Sequence, residues 1–146
     1  MRVLIINGAN VNLPGRYPTE VEGVSSYSQL TETLHQFARK QGVELEIFQS
    51  NSEGEVVNLI QGASDKELDA LIINPGDFLH SHPIRGALMA LAGHMPLVEV
   101  LPAGIHSLGG PTLLTSHVQG VIAGFGVQAY LLALEAVLDL VKGTSR

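Results

Sequence analysis

The chain has 146 residues, 45% hydrophobic and only 15% charged, with a formal net charge of −6 and no cysteine. That length suits a single domain over 1–146, and sparse charge with positive mean hydropathy predicts a homo-oligomer that covers apolar surface with copies of itself. An acidic balance without a Lys/Arg cluster argues against nucleic-acid and anionic-membrane surfaces, and the lack of cysteine excludes disulfides, thiolate nucleophiles and zinc–thiolate sites.

Arg2 to Ile6 is a short continuous apolar run, which predicts a buried first strand. It is too short for a signal peptide, and no run of about 18 apolar residues follows, so a cytoplasmic protein is expected. The polar stretch from Asn7 to Gly23 reads as a long loop, more often a functional lid than filler. Ser25 to Gln41 has helical apolar spacing, with serine caps before it and Gly42 as its stop. Val43 to Gln49 alternates apolar and polar residues, as an edge strand should.

A second helix is expected from Glu53 to Asp65. The run from Asp69 to Ile73 is a third strand covered on both faces, ended by Asn74-Pro75-Gly76. Pro83 opens a helix to Gly93, Pro96 to Val100 is the fourth strand, Val121 to Gly124 the fifth, and Val127 to Val141 the last helix. Strands alternating with helices imply an α/β flavodoxin-like three-layer sandwich around a five-stranded parallel sheet.

Ligands of such sheets sit beyond the carboxyl ends of the strands. The loops there collect Asn12, Arg16, Tyr17 and Glu22, then Asn74, Asp77, His80 and His82, then His106. They suit a small oxygen-rich ligand. Asn7, Asn10 and Asn51 are read as turn or cap residues. Histidine is the usual acid or base near neutral pH, and a His-x-His pair on a loop is too weak a pattern to predict a metal. Lys40, Lys66 and Lys142 fall toward helix ends, which leaves no Schiff-base nucleophile. No dinucleotide or P-loop glycine motif is present.

Several runs carry a resemblance across nearly the whole chain. These are Asn7-Gly-Ala-Asn10-Val-Asn12-Leu-Pro-Gly15, Gln49 to Glu55, Ile73-Asn-Pro-Gly76 with His80, Glu99-Val100, Ile105-His106, and Gly120 to Gly126 with Gln128 and Tyr130 to Glu135. The chain resembles the type II 3-dehydroquinate dehydratases. The resemblance implies a flavodoxin-like subunit assembled as a dodecamer of trimers. It also implies a cofactor-free elimination of water through an enolate: a lid tyrosine activated by an arginine takes the proton, a histidine protonates the leaving hydroxyl, and asparagines hold water and substrate.

In that pattern Asn12, Asn74, His80 and Glu99 stand at matching positions. Glu22 stands at the base tyrosine, Tyr17 at the activating arginine and Leu101 at the acid histidine. Pro102 removes an N–H from the carboxylate-binding turn, and the segment from Ser107 to Leu113 carries no arginine. The working expectation is therefore a divergent lyase that is poor on 3-dehydroquinate. In it Glu22 is the base, His80 the acid or polariser, Asn12 and Asn74 the oxyanion and water holders, with Arg16 and Tyr17 able to re-form a pair. Asp77, His82, Glu99 and His106 line the substrate. Two alternatives stay open: a genuine 3-dehydroquinate dehydratase with a rearranged lid, and a non-catalytic ligand-binding or scaffolding relative.

Overall fold

The computed structural model describes residues 1–16, 19–105 and 109–144. The elements run β1 (Arg2–Ala9), α1 (Tyr27–Gln41), β2 (Glu44–Gln49), α2 (Glu53–Gly62), β3 (Ala70–Gly76), α3 (His82–Leu91), β4 (Leu97–Leu101), a short 3-10 turn (Thr115–His117), β5 (Gly120–Ala123) and α4 (Gln128–Thr144). The sheet is parallel throughout, in the order β2-β1-β3-β4-β5. This is the expected flavodoxin-like arrangement, with β2 at one edge.

Side-chain alternation sorts the core into two halves. Val3, Ile5, Ile72, Val98 and Val100 pack against α1 and α4 through Leu30, Leu34, Ala133, Leu134 and Val137. Leu4, Ile6, Leu71, Ile73 and Leu97 face α2 and α3 through Val56, Ile60, Ile84 and Leu88. The helices start where their caps dictate: Ser26, Ser52 and Ser81 each accept the N–H of the residue three positions on. Among the described residues no helix is long and apolar enough to cross a membrane.

Two strand ends correct the sequence reading. The first strand was expected to stop at Ile6 and the third at Ile73, but both continue three residues, with Asn7 opposite Asn74 and Ala9 opposite Gly76. The polar residues do not break the ladder, because their side chains are satisfied off the sheet and the glycines let the backbones close up. A Cβ on Gly8 would lie 2.0 Å from the Pro75 carbonyl oxygen, and one on Gly76, at φ +58°, 2.3 Å from that of Ala9. The second helix also stops at Gly62, short of Asp65, and the last reaches Thr144.

Candidate active site

The register of β1 and β3 builds the floor of the site. Asn7 and Asn74 are neighbours across the ladder, in phase with Ile5 and Ile72, so both point toward the α1/α4 layer. There the Tyr130 hydroxyl donates to Asn7 Oδ1 at 2.6 Å and accepts from Asn74 Nδ2 at 2.7 Å. Asn74 Oδ1 takes the Gly76 N–H at 3.0 Å, and Asn7 Nδ2 donates to the Tyr27 hydroxyl at 3.4 Å. Asn74 is thereby fixed in one orientation with one N–H still to give. Burial pushes the Tyr130 phenol far above its ordinary pKa, against the lowering effect of the Asn74 hydrogen bond, and burial raises Tyr27 as well. Neither is a proton acceptor near neutral pH. Sequence reasoning missed Tyr130, whose signal was a polar tip on the otherwise apolar face of its helix.

The lid crosses above this floor. Val21, 1% exposed, is its anchor in the core, and its N–H reaches the Pro14 carbonyl at 2.7 Å. Glu20 and Glu22 flank Val21 and both line an open cleft of about 520 Å³ whose other wall is Pro102, Ala103, Gly124 and Phe125. The Glu22 carbonyl accepts the Val127 N–H at 2.8 Å, which docks the lid on the start of α4. Beneath, a constriction of about 10 Å³ connects Glu20, Thr19 and Asn74 with Leu101 and Pro102. Leu101 is 2% exposed at the end of β4. Glu20 thus faces both spaces, a placement that sequence reasoning did not single out.

The other expected site residues scatter. Asn12 and Arg16 line a separate cleft of about 390 Å³ beside Tyr27, and Asn12 Oδ1 accepts from Gln49 at 3.3 Å. Asp77 is exposed and accepts from Asn10 Nδ2. Its backbone N–H bonds the Ala9 carbonyl at 3.1 Å. His80 is exposed beside Leu79, whose carbonyl takes the Leu113 N–H at 2.8 Å. His82, expected on a loop, is the exposed first residue of α3, because Ser81 caps the helix one residue earlier. None of Asp77, His80 and His82 lines the three clefts named. Tyr17 and His106 lie outside the described residues.

Glu99 is wholly buried on the α2/α3 side of β4. Its oxygens accept from the Thr112 and Thr115 hydroxyls at 2.5 and 2.7 Å. The same hydroxyls accept the N–H groups of Leu114 and Thr112, at 3.0 and 3.2 Å. Glu99 therefore ties down the segment that follows β4 instead of facing the cleft. Among the described residues no group of three or more His, Asp or Glu is placed to hold a metal ion.

Known proteins resemble this chain over nearly its whole length. The family model described as dehydroquinase class II matches residues 1–138. A 3-dehydroquinate dehydratase of Lachnoclostridium phytofermentans is 37% identical over 144 residues, covering 96% of this chain and 98% of that one. Another from Thermoanaerobacter pseudethanolicus is 41% identical over 140 residues, 93% of each chain. The crystal structure of type II dehydroquinase from Butyrivibrio crossotus superposes with a TM-score of 0.86 at 29% identity, covering 94% of this chain and 97% of that one. A 3-dehydroquinate dehydratase-like protein from Bifidobacterium longum gives 0.72 at 26%, covering 97% and 98%.

Proposed function

Because this chain belongs to the class II dehydroquinase family, we propose that it is a carbon–oxygen lyase that removes water from a small oxygen-rich ring bearing a carbonyl, with an acid–base set different from the one the resemblance implies. The observation that carries this reading is Leu101. It is buried and apolar and, with Pro102, walls the constriction beside Asn74 where the resemblance calls for an acid histidine.

In this mechanism a lid carboxylate takes the proton next to the carbonyl. Glu22 is assigned that role, with Glu20 in the same cleft and also lining the constriction with Asn74. Asn74, held by Tyr130 and by the Gly76 N–H, gives its remaining N–H to the developing enolate oxygen. Asn12 holds the water, and His80 protonates the leaving hydroxyl. His80 and Glu22 border different parts of the rim, so the ligand has to lie across the β3 end between them.

A second reading has its own support: curated relatives between 34% and 41% identical are named 3-dehydroquinate dehydratase. Mixing the purified protein with 3-dehydroquinate and following the enone absorbance separates the two. Clear turnover establishes the second reading and overturns the first. We also infer a homo-oligomer, with the dodecamer of trimers as the expected state. Its support is the low charge of the chain and exposed apolar side chains such as Phe125, at 72%, and Met89, at 51%.

A further inference from the structure

Most of the cations of this molecule lie at one pole, where they share the surface with Glu44, Asp65, Glu67 and Asp69. Arg39 and Lys40 sit in the last turn of α1 and Lys142 in the last turn of α4. Arg2 begins β1 and Lys66 precedes β3, so all five lie toward the amino ends of the strands, away from the site. The carboxyl ends carry Glu20 and Glu22 on the lid, Glu53 and Glu55 in the first turn of α2, and Asp77. Among the described residues the cations on that side are Arg16, in the separate cleft beside Tyr27, and Arg85 on α3, which lines none of the three clefts.

Several backbone donors beside the lid cleft are already paired. Pro102 has none. The Gly104 and Gly124 N–H groups both go to the Leu101 carbonyl at 2.8 Å, Gly126 to Pro102 at 3.1 Å, and Val127 to Glu22 at 2.8 Å. At the start of α4, where free N–H groups commonly hold anions, Gln128, Ala129 and Tyr130 bond the carbonyls three residues back, each at 3.1 Å. A carboxylate entering this cleft would give up its hydration, meet no Lys or Arg lining it among the described residues and face two like charges.

We propose that the ligand of this cleft is a polyhydroxy ring without negative charge, an uncharged cyclic polyol ketone in the reacting case. Hydroxyl groups donate to the Glu20 and Glu22 carboxylates and accept the free Asn74 N–H, while the C–H face of the ring lies on Pro102 and Phe125. The reaction rests on the lyase reading above. The C–H bond next to the ketone breaks, its proton passes to the lid carboxylate and its electron pair to the carbonyl oxygen. The enolate then re-forms the carbonyl as the β C–O bond breaks, and the hydroxide leaves with a proton from His80, which the ring reaches only by extending out of the cleft across the β3 end. One water is lost and nothing is oxidised.

Titration calorimetry of the intact protein with three probes tests the ligand class: quinate, its uncharged amide, and 2-keto-myo-inositol. The expected result is binding of the two uncharged rings, with quinate at least tenfold weaker at low salt. That gap should shrink in Glu20→Gln/Glu22→Gln, whose lid positions tolerate the change because Val21 and the Glu22 backbone hold the lid. Quinate binding as tightly as its amide, or no binding by either uncharged ring, overturns the proposal. If 2-keto-myo-inositol binds but releases no water, the lyase reading fails while the ligand class stands.

Discussion

Tyr130 donates its hydroxyl to Asn7 at 2.6 Å from a position 123 residues further along the chain. That bond, with its continuation to Asn74, joins β1, β3 and α4 at the floor of the site. Tyr130→Phe leaves a buried amide oxygen and a buried N–H unpaired, and each such orphan costs about 1–3 kcal/mol. We expect a loss of stability of that order in urea unfolding, with ligand binding falling further than stability accounts for, since Asn74 is no longer held in one orientation. Unchanged stability would mean that water replaces the phenol.

Gly126 stands where the lid meets α4. At φ +57° it is already in the region that disfavours side chains, and a Cβ there would lie 2.2 Å from the Glu22 carbonyl oxygen. Gly126→Ala carries a backbone penalty of about 1–2 kcal/mol and pushes Glu22 off the Val127 N–H. The expected outcome is faster proteolysis within residues 19–24 while the core keeps its hydrogen-exchange protection. Parent-like cleavage there would refute the docking role given to this contact.

The sheet was legible because its signal is local. Runs such as Leu71-Ile-Ile with no polar partner face read as strands buried on both sides, and right-handed crossovers then leave few orders. The strand ends were not legible. Asn7 and Asn74 have turn propensity, and only the register of β1 against β3, together with a tyrosine more than 50 residues from either, turns them into strand residues. Among the candidate site residues, Asn74 and Glu22 fall beside a cleft because the β3 end and the lid anchor at Val21 place them there. His82 reads as a loop residue when Pro83 alone marks the helix start, but the Ser81 cap, two residues before Pro83, puts it inside the helix. Nothing in the sequence marks Glu20, because its placement depends on Val21 entering the core.

Glu99 makes stability depend on pH. Burial raises its carboxyl above the ordinary 4.5, and the Thr112 and Thr115 hydrogen bonds oppose this without cancelling it. A carboxyl that binds its proton more tightly in the folded chain contributes fully below its unfolded pKa. That contribution is lost as pH rises through the folded value. Glu99→Gln has no such titration, so the melting temperature of the variant minus that of the parent should climb from pH 4.5 toward neutrality. A flat difference would show that folding leaves Glu99 at its ordinary pKa.

Phe125, with φ +68° between two glycines also at positive φ, holds a large apolar ring 72% exposed. Exposure on a backbone this unfavourable suits a contact with another copy. Light scattering on Phe125→Asp should give a smaller mass than the parent at equal concentration. An unchanged mass would refute a subunit contact at Phe125.

The lid carboxylates offer the direct test of the proposed mechanism. If Glu22 is the base, Glu22→Gln keeps the backbone contact to Val127, because that bond uses the carbonyl, and keeps the anchor at Val21. Only proton transfer is removed, which for a general base means a fall in kcat of about 10²–10⁴-fold with a small change in KM. Glu20→Gln, in the same cleft but beside Asn74, should act mainly through KM if it accepts a ligand hydroxyl. Measuring both variants on whichever uncharged ring shows turnover assigns the roles. A collapse of kcat in Glu20→Gln with Glu22→Gln near the parent would exchange them, moving the base to the carboxylate that shares the constriction with Asn74. Parent-like kcat in both would take the carboxylates out of the chemistry and leave Leu101 as the wall of a binding pocket.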